Sequence, residues 1–221
     1  MLFRSKGTRQ EVDAVVEWLG LAPGMRVLDV GCGPGRHVLE LASRGITTHG
    51  IDISRTFVDI ARSNAVVNAT FERMDARHMT FDAEFDAVIC LCQGAFGLMT
   101  ANGNDLDVLR GIRRALKPGG RLALSAFSSY FAVKYHGAAS FDADSGVSHE
   151  VTEVKDESGR ATEVDLWTGC YTPRELRMLM DKVDMTVDHI YSVEPGAYLP
   201  APPTVESPEY LLIASATPFR R

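Results

Sequence analysis

Residues Val27 to Gly35 read V-L-D-V-G-C-G-P-G, an apolar run that ends in an acid and then in glycines at alternate positions. The pattern predicts a buried strand running into a loop whose main chain approaches a ligand closely. Lacking Cβ, Gly31, Gly33 and Gly35 can take positive φ and leave room against the backbone. The next stretch, Arg36 to Arg44, places Val38, Leu39 and Leu41 on one helical face and meets Gly45 as its stop. The loop therefore opens a helix whose first N–H groups face the ligand. Strand, glycine loop and helix together predict a nucleotide-type site.

Spacing narrows the choice of nucleotide. A dinucleotide site needs G-x-G-x-x-G, its third glycine allowing helix and strand to pack closely. Counted from Gly31, that third position is Arg36, which disfavours a nicotinamide oxidoreductase. With Asp29 ahead of it, D-V-G-C-G-P-G resembles the first motif of the class I S-adenosylmethionine-dependent methyltransferases.

The resemblance covers roughly residues 22–127 in five successive motifs. Ile46 to Ile51 reads as a second strand ending in Asp52, and in the family an acid at this strand end accepts the two ribose hydroxyls. A third apolar segment, Ala69 to Met74, ends in Asp75-Ala76, which resembles the adenine clamp, with Ile53 and Ala76 flanking the ring. A fourth strand, Phe85 to Cys92, occupies the position whose end holds the methionine ammonium by a backbone carbonyl, here that of Leu91. Leu116 to Gly120 (L-K-P-G-G) ends a helix and turns into a strand over Arg121 to Phe127, as in family members. The resemblance thus implies a cofactor set of Asp29, Gly31, Cys32, Gly33, Asp52, Ile53, Asp75, Ala76 and Leu91, with S-adenosylmethionine as cofactor and S-adenosylhomocysteine as product. Taken singly, Asp52 is a possible helix cap and Asp75 a turn acid. Their joint placement at successive strand ends is what ligand binding beyond the carboxyl ends of an open α/β sheet requires.

At 221 residues, 45% hydrophobic and 24% charged, the chain suits one large α/β domain. The resemblance implies a doubly wound, mostly parallel sheet of seven strands, the last antiparallel and inserted beside the fifth. One methyltransferase domain is expected over 1–221, with a cofactor half over about 22–127 and a substrate-facing half over 128–221. Met1 to Gln10 has three basic residues and no apolar core, and no apolar run approaches ~18 residues. A cytoplasmic protein without membrane contact is the expectation. The four cysteines, with no C-x-x-C pair or clustered histidine, predict buried thiols and no metal site, Cys90 and Cys92 sharing one strand face.

The net charge of −6 is unevenly placed: Phe141 to Cys170 holds eight acids against Lys155 and Arg160. No extended basic stretch remains to follow a phosphate backbone, so nucleic acid is not an expected partner. The end of the fourth strand, Cys92-Gln93-Gly94-Ala95-Phe96, also lacks the Asn/Asp-Pro-Pro-aromatic signature of members that methylate planar amide or adenine nitrogens. A small-molecule acceptor is favoured, protein methylation stays possible, and nothing in the pattern bears on oligomeric state.

Thr8-Arg9-Gln10-Glu11 reads as a capping box, with Val12, Val15, Val16 and Leu19 at helical spacing. Thr172-Pro173-Arg174-Glu175 repeats the device ahead of Leu176, Leu179, Met180 and Val183. Strands are predicted at about Thr186 to Val193 and Tyr210 to Ala216, flanking a proline-rich loop, Glu194 to Glu209. Two runs, His149 to Asp156 and Ala161 to Thr168, flank Glu157-Ser158-Gly159 and predict a hairpin lid over about 149–168.

Methyl transfer needs a lone pair in line with the sulfonium methyl at ~3 to 3.5 Å, and an acceptor hydroxyl or ammonium must also lose a proton. Histidine suits that task near neutral pH. His136 and His149 follow the fifth strand, and His149 is the preferred base; His37 beside the glycine loop is expected to bond locally. Gln93, Phe96, Tyr130, Trp167 and Tyr171 are candidates for the substrate wall, with core packing as their alternative role. The implied function is methyl transfer to nitrogen or oxygen of a small metabolite; the alternative is a non-catalytic S-adenosylmethionine-binding module or sensor.

Overall fold

Val27 and Leu28 are neighbours in one strand, and both are wholly buried. Successive side chains of a strand point to opposite faces, so the sheet must be covered on both sides. Leu28, Val88, Leu122 and Leu212 go to one face, while Val27, Ile89, Ala123 and Ile213 go to the other. Each such side chain contributes roughly 1.5–3 kcal/mol when buried, which explains why these strands read as near-continuous apolar runs.

The computed structural model describes residues 7–92, 94–99, 105–135, 141–155 and 161–217. Its elements are α1 (Thr8–Leu19), β1 (Arg26–Val30), α2 (Arg36–Ser43), β2 (Thr47–Asp52), α3 (Arg55–Ser63), β3 (Ala69–Arg73), β4 (Phe85–Cys90), β5 (Leu98–Met99) and α4 (Asp105–Ala115). There follow β6 (Leu116–Ser128), α5 (Ser129–Tyr135), β7 (Phe141–Asp142), β8 (Val147–Lys155), β9 (Ala161–Tyr171), α6 (Pro173–Asp181), β10 (Met185–Glu194), β11 (Ala197–Ala201) and β12 (Glu209–Ala216). A 3₁₀ turn, Ala76–His78, follows β3.

The main sheet runs β11-β10-β12-β6-β4-β1-β2-β3. Strands β3, β2, β1, β4 and β6 pair in parallel. Strand β12 lies antiparallel between β6 and β10, the inserted last strand that the family resemblance implies. Strand order reverses between β1 and β4, and the crevice beyond their carboxyl ends is where ligands of open α/β sheets bind. Val108, Ile112, Leu176 and Met180 from α4 and α6 cover one face; Val12, Val15 and Leu41 from α1 and α2 cover part of the other. A third cluster seats Val38, Val58 and Ala61 around Phe71 at the β2–β3 end.

Several expectations need correction. Thr8 already lies inside α1, and the cap of α1 is Gly7. The Thr8 hydroxyl instead accepts from Arg36 Nη1 at 3.0 Å, and Glu11 is drawn into tertiary bonds with Arg36, His37 and Gly196. The box at Thr172 does form, in both directions. The loop over 194–209 contains β11, which pairs with β10. Leu116 already pairs with Phe85, and the register then shifts to Ala87 with Arg121; the intervening turn has Gly119 at φ 76°. Cys90 and Cys92 do not share a face: β4 ends at Cys90, and Cys92 takes φ 53°. Cys90 packs in one core and Cys92 against the other.

The hairpin is β8 with β9, paired antiparallel from Val147 with Gly169 to Lys155 with Ala161. At its base, Cys170 and Tyr171 of β9 pair in parallel with Phe127 and Ser128 of β6. Its strand β9 also holds β5 through Leu98 and Met99. The turn, Glu157-Ser158-Gly159, lies outside the described residues.

Candidate active site

Three glycines with positive φ make the loop after β1: Gly31 at 74°, Gly33 at 54° and Gly35 at 88°. A Cβ on Gly31 would stand 2.1 Å from the carbonyl carbon of Gly94. The chain segment following β4 therefore lies directly against the glycine loop, at the point where strand order reverses. Gly35 meets the Phe71 ring in the same way, at 2.7 Å, and caps the start of α2.

Asp52 ends β2 and is 8% exposed. Its Oδ2 accepts the Gly33 N–H at 2.8 Å and its Oδ1 accepts the Ser54 N–H at 2.8 Å. Each carboxylate oxygen can accept a second bond. Asp75 caps the 3₁₀ turn and takes Arg77 on both oxygens, with Nε at 2.9 and 3.2 Å. The Arg77 bonds hold its carboxyl at about 2.

These groups open onto one cavity of about 310 Å³. One part of the wall is Gly31, Asp52, Ile53, Asp75 and Ala76; Leu98, Asp105, Val108, Leu166 and Trp167 also line it. Ile53 is 59% exposed, an apolar surface beside two acids, which suits a purine ring with hydroxyls on the sugar side. The residues present thus fit an adenosyl group on the first part.

Asp29 is buried beneath the glycine loop, and its Oδ2 has no partner among the described residues. Burial pushes its carboxyl up to about 6, against the pull of His37 and Arg36. Cys32 is buried too: its N–H donates to Ile51 O at 2.9 Å, and its thiol is pushed up by burial. The Leu91 carbonyl accepts Gly94 N–H at 3.1 Å, and a carbonyl oxygen has a second lone pair.

Beside the loop, Glu11 takes Arg36 and His37 on one oxygen, His37 Nε2 at 2.9 Å, and Gly196 N–H on the other at 2.7 Å. Burial would raise the Glu11 carboxyl, but the bonds from His37 and Arg36 outweigh it and bring it to about 2. Arg36 also reaches Cys92 Sγ at 2.9 Å. Glu11, His37 and Cys92 bring ligand-type atoms within 4.8 Å of one another, and the Arg36 guanidinium supplies the positive charge between them. His37, expected to bond locally, instead reaches Glu11 in α1.

The substrate candidates divide. Trp167 lines the cavity. His149, its cross-strand partner, stacks on the ring at 3.8 Å between centroids and bonds Asp165 at 2.7 Å, and it is not part of the cavity wall. Phe96 is wholly buried in the core and backs Tyr171 at 4.9 Å. The Tyr171 hydroxyl donates to Asp105 Oδ2. Tyr130 faces a second cavity of about 370 Å³, shared with Phe141, Thr172 and Glu175. Gln93 and His136 lie outside the described residues. Asp105, Leu98 and Leu166 were not foreseen; an acid opening a helix and two leucines carry no local mark of a cavity wall.

A parallel sheet with one antiparallel inserted strand, a glycine loop at its switch point and an acid at the end of β2 define an α/β protein that binds a nucleoside cofactor. Residues 27–120 match the model of the methyltransferase domain family, and over that stretch the chain is similar to the S-adenosylmethionine-dependent methyltransferases. It is 34% identical over 123 residues to the S-adenosyl-L-methionine-dependent Diels-Alderase iccD of Talaromyces variabilis, covering 54% of this chain and 42% of that one. It is 30% identical over 122 residues to the ubiquinone biosynthesis O-methyltransferase of Alkalilimnicola ehrlichii, covering 53% and 47%. The chain spans about half the length of the curated relatives it matches. Among solved structures, the CcbJ methyltransferase of Streptomyces caelestis is similar in fold, with TM-score 0.78 and 16% identity over 97% of both chains. No described helix is long and apolar enough to cross a membrane.

Proposed function

We propose that this chain is a single methyltransferase domain that moves the S-adenosylmethionine methyl group to nitrogen or oxygen of a small molecule. The observation that carries the reading is one cavity lined by two unlike sets of residues. Glycine loop and carboxylates form the first; Leu98, Val108, Leu166 and Trp167, an apolar and aromatic surface, form the second. An acceptor held by the second set shares the cavity with whatever the first set binds.

The bound cofactor supplies a methyl group made electrophilic by its sulfonium. The protein supplies position. Gly31 and Gly33 let the main chain close on the ligand, Asp52 accepts the sugar hydroxyls with the lone pairs left by Gly33 and Ser54, and Ile53 and Ala76 flank the base. Asp75, braced by Arg77, serves the amino edge of the purine, and the Leu91 carbonyl serves the ammonium. Asp29 and Cys32 shape the loop from beneath. Trp167 sets the acceptor, with the stacked His149 fixing its tilt. Holding two reactants in line is worth several kcal/mol of barrier without any covalent step. The cytoplasm supplies such small acceptors, and no nucleic acid or membrane surface is required.

The test is a screen of amines, phenols and carboxylates with labelled cofactor. Label appearing on a small acceptor supports transfer. Tight S-adenosylhomocysteine binding with no transfer to any acceptor, small or protein, supports the sensor role instead.

A further inference from the structure

Three acids line the cavity, and the proposed function gives two of them a partner in the cofactor. Asp52 is held by two backbone N–H groups and Asp75 by Arg77. Asp105 differs. It is 8% exposed and lines the same cavity as Gly31 and Asp52. Its Oδ1 accepts Gly97 N–H at 3.1 Å and its Oδ2 accepts the Tyr171 hydroxyl, both uncharged donors. Among the described residues no lysine, arginine or histidine pairs with it. A carboxylate in a largely apolar space is costly unless a cation or a proton joins it.

Resting on the methyl-transfer reading, we propose that the acceptor is a small amine, held as its ammonium by Asp105 with its apolar part against Trp167 and Leu98, and that Asp105 takes the proton that frees the nitrogen lone pair. Both carboxylate oxygens keep a lone pair beyond the Gly97 and Tyr171 bonds. The ammonium gives one proton to Asp105 and becomes the free amine. Its lone pair forms the N–C bond while the S–C bond breaks and sulfur keeps that electron pair. The product leaves as a methylammonium, S-adenosylhomocysteine is neutral at sulfur, and the proton on Asp105 returns to water when the site opens.

Two neighbours suit that role. Burial raises the Asp105 carboxyl above its ordinary range despite the Tyr171 and Gly97 bonds, which favours taking a proton. Burial, then Asp105 itself, pushes the Tyr171 phenol far up, so Tyr171 stays a donor and keeps the carboxylate aimed. His149, on the hairpin behind Trp167, is outside this space.

The experiment uses the full chain and calorimetry in two stages. S-adenosylhomocysteine is titrated first into wild type, Asp105→Asn and Asp105→Glu; then 2-phenylethylamine and its neutral isostere 2-phenylethanol are titrated into each saturated protein. The expected result is nucleoside affinity within about threefold for all three, with the amine at least about tenfold tighter than the alcohol in wild type and Asp105→Glu only. Equal binding of amine and alcohol by wild type, or an amine preference that survives Asp105→Asn, overturns the assignment of Asp105. Absence of S-adenosylhomocysteine binding by wild type overturns the underlying methyl-transfer reading instead. If Asp105→Asn alone fails to bind the nucleoside, the wild-type and Asp105→Glu comparison decides.

Discussion

Asp52 Oδ2 accepts the N–H of Gly33 at 2.8 Å, so the acid at the end of β2 and the glycine loop after β1 are one mechanical unit. The same carboxylate fixes Ser54, the cap of α3, at 2.8 Å. Asp52→Ala therefore removes the acceptor proposed for the ribose and two backbone anchors together. Losing a hydrogen bond to a charged group costs about 1.5–3 kcal/mol, so S-adenosylhomocysteine affinity is expected to fall by about tenfold or more in calorimetry. Unchanged affinity would contradict the placement of the ribose.

Gly31 combines a positive φ with a hypothetical Cβ 2.1 Å from Gly94. Gly31→Ala must strain the loop or push the segment after β4 away, at a cost of order 1–3 kcal/mol. A lowered melting midpoint together with weakened nucleoside binding is expected. Gly24→Ala, also at positive φ but with open space around it, should keep nucleoside binding intact.

Glu11 gives a pH signature. Its folded carboxyl is at about 2 against an ordinary 4.5, a lowered acid, so its stabilisation is present above pH 4.5 and lost as pH falls towards 2. Asp29 acts with opposite sign: raised to about 6 from 3.8, it favours the folded state below 3.8 and loses that contribution as pH rises through 6. Comparing urea midpoints of wild type and Glu11→Gln isolates the first effect. The two proteins should differ at pH 7 and converge as pH falls from 4.5 towards 2; a constant gap would count against the Arg36 and His37 bonds as its source.

Much of this was legible because the signals are local. Near-continuous apolar runs marked the parallel strands, and Thr172 with Glu175 marked α6 through a bond pair three residues apart. What escaped depends on partners far along the chain. Glu11 has the spacing of a cap, but Arg36, His37 and Gly196 compete for its carboxylate and win. Strand β11 contains Pro200 and runs among prolines, which read as loop; it survives because it is an edge strand where a missing N–H costs little. Phe96 could have been wall or core, and only the Tyr171 stack decides for core. Cys92 left the strand face because Gly94 has to meet Gly31, which turns the chain at Cys92.

Trp167 separates the two sets experimentally. It lines the cavity, and its stacking and cross-strand partner is His149 rather than a residue proposed for the cofactor, so Trp167→Ala should leave S-adenosylhomocysteine affinity within about threefold while raising acceptor KM about tenfold, or 1.4 kcal/mol. His149→Ala, which removes the ring stacked at 3.8 Å and its bond to Asp165, should raise KM by a smaller factor and leave kcat nearly intact. A large kcat loss with unchanged KM would instead make His149 the base.

The account rests on an adenosyl cofactor lying across Gly31 to Gly35 with its sulfur towards Trp167. A crystal structure of the chain with S-adenosylhomocysteine tests this most directly. The account predicts the ribose on Asp52, the purine between Ile53 and Ala76, and the sulfur open to the wall of Leu98, Asp105 and Trp167. Ligand density elsewhere, or in this crevice with purine and amino acid ends exchanged, would contradict it.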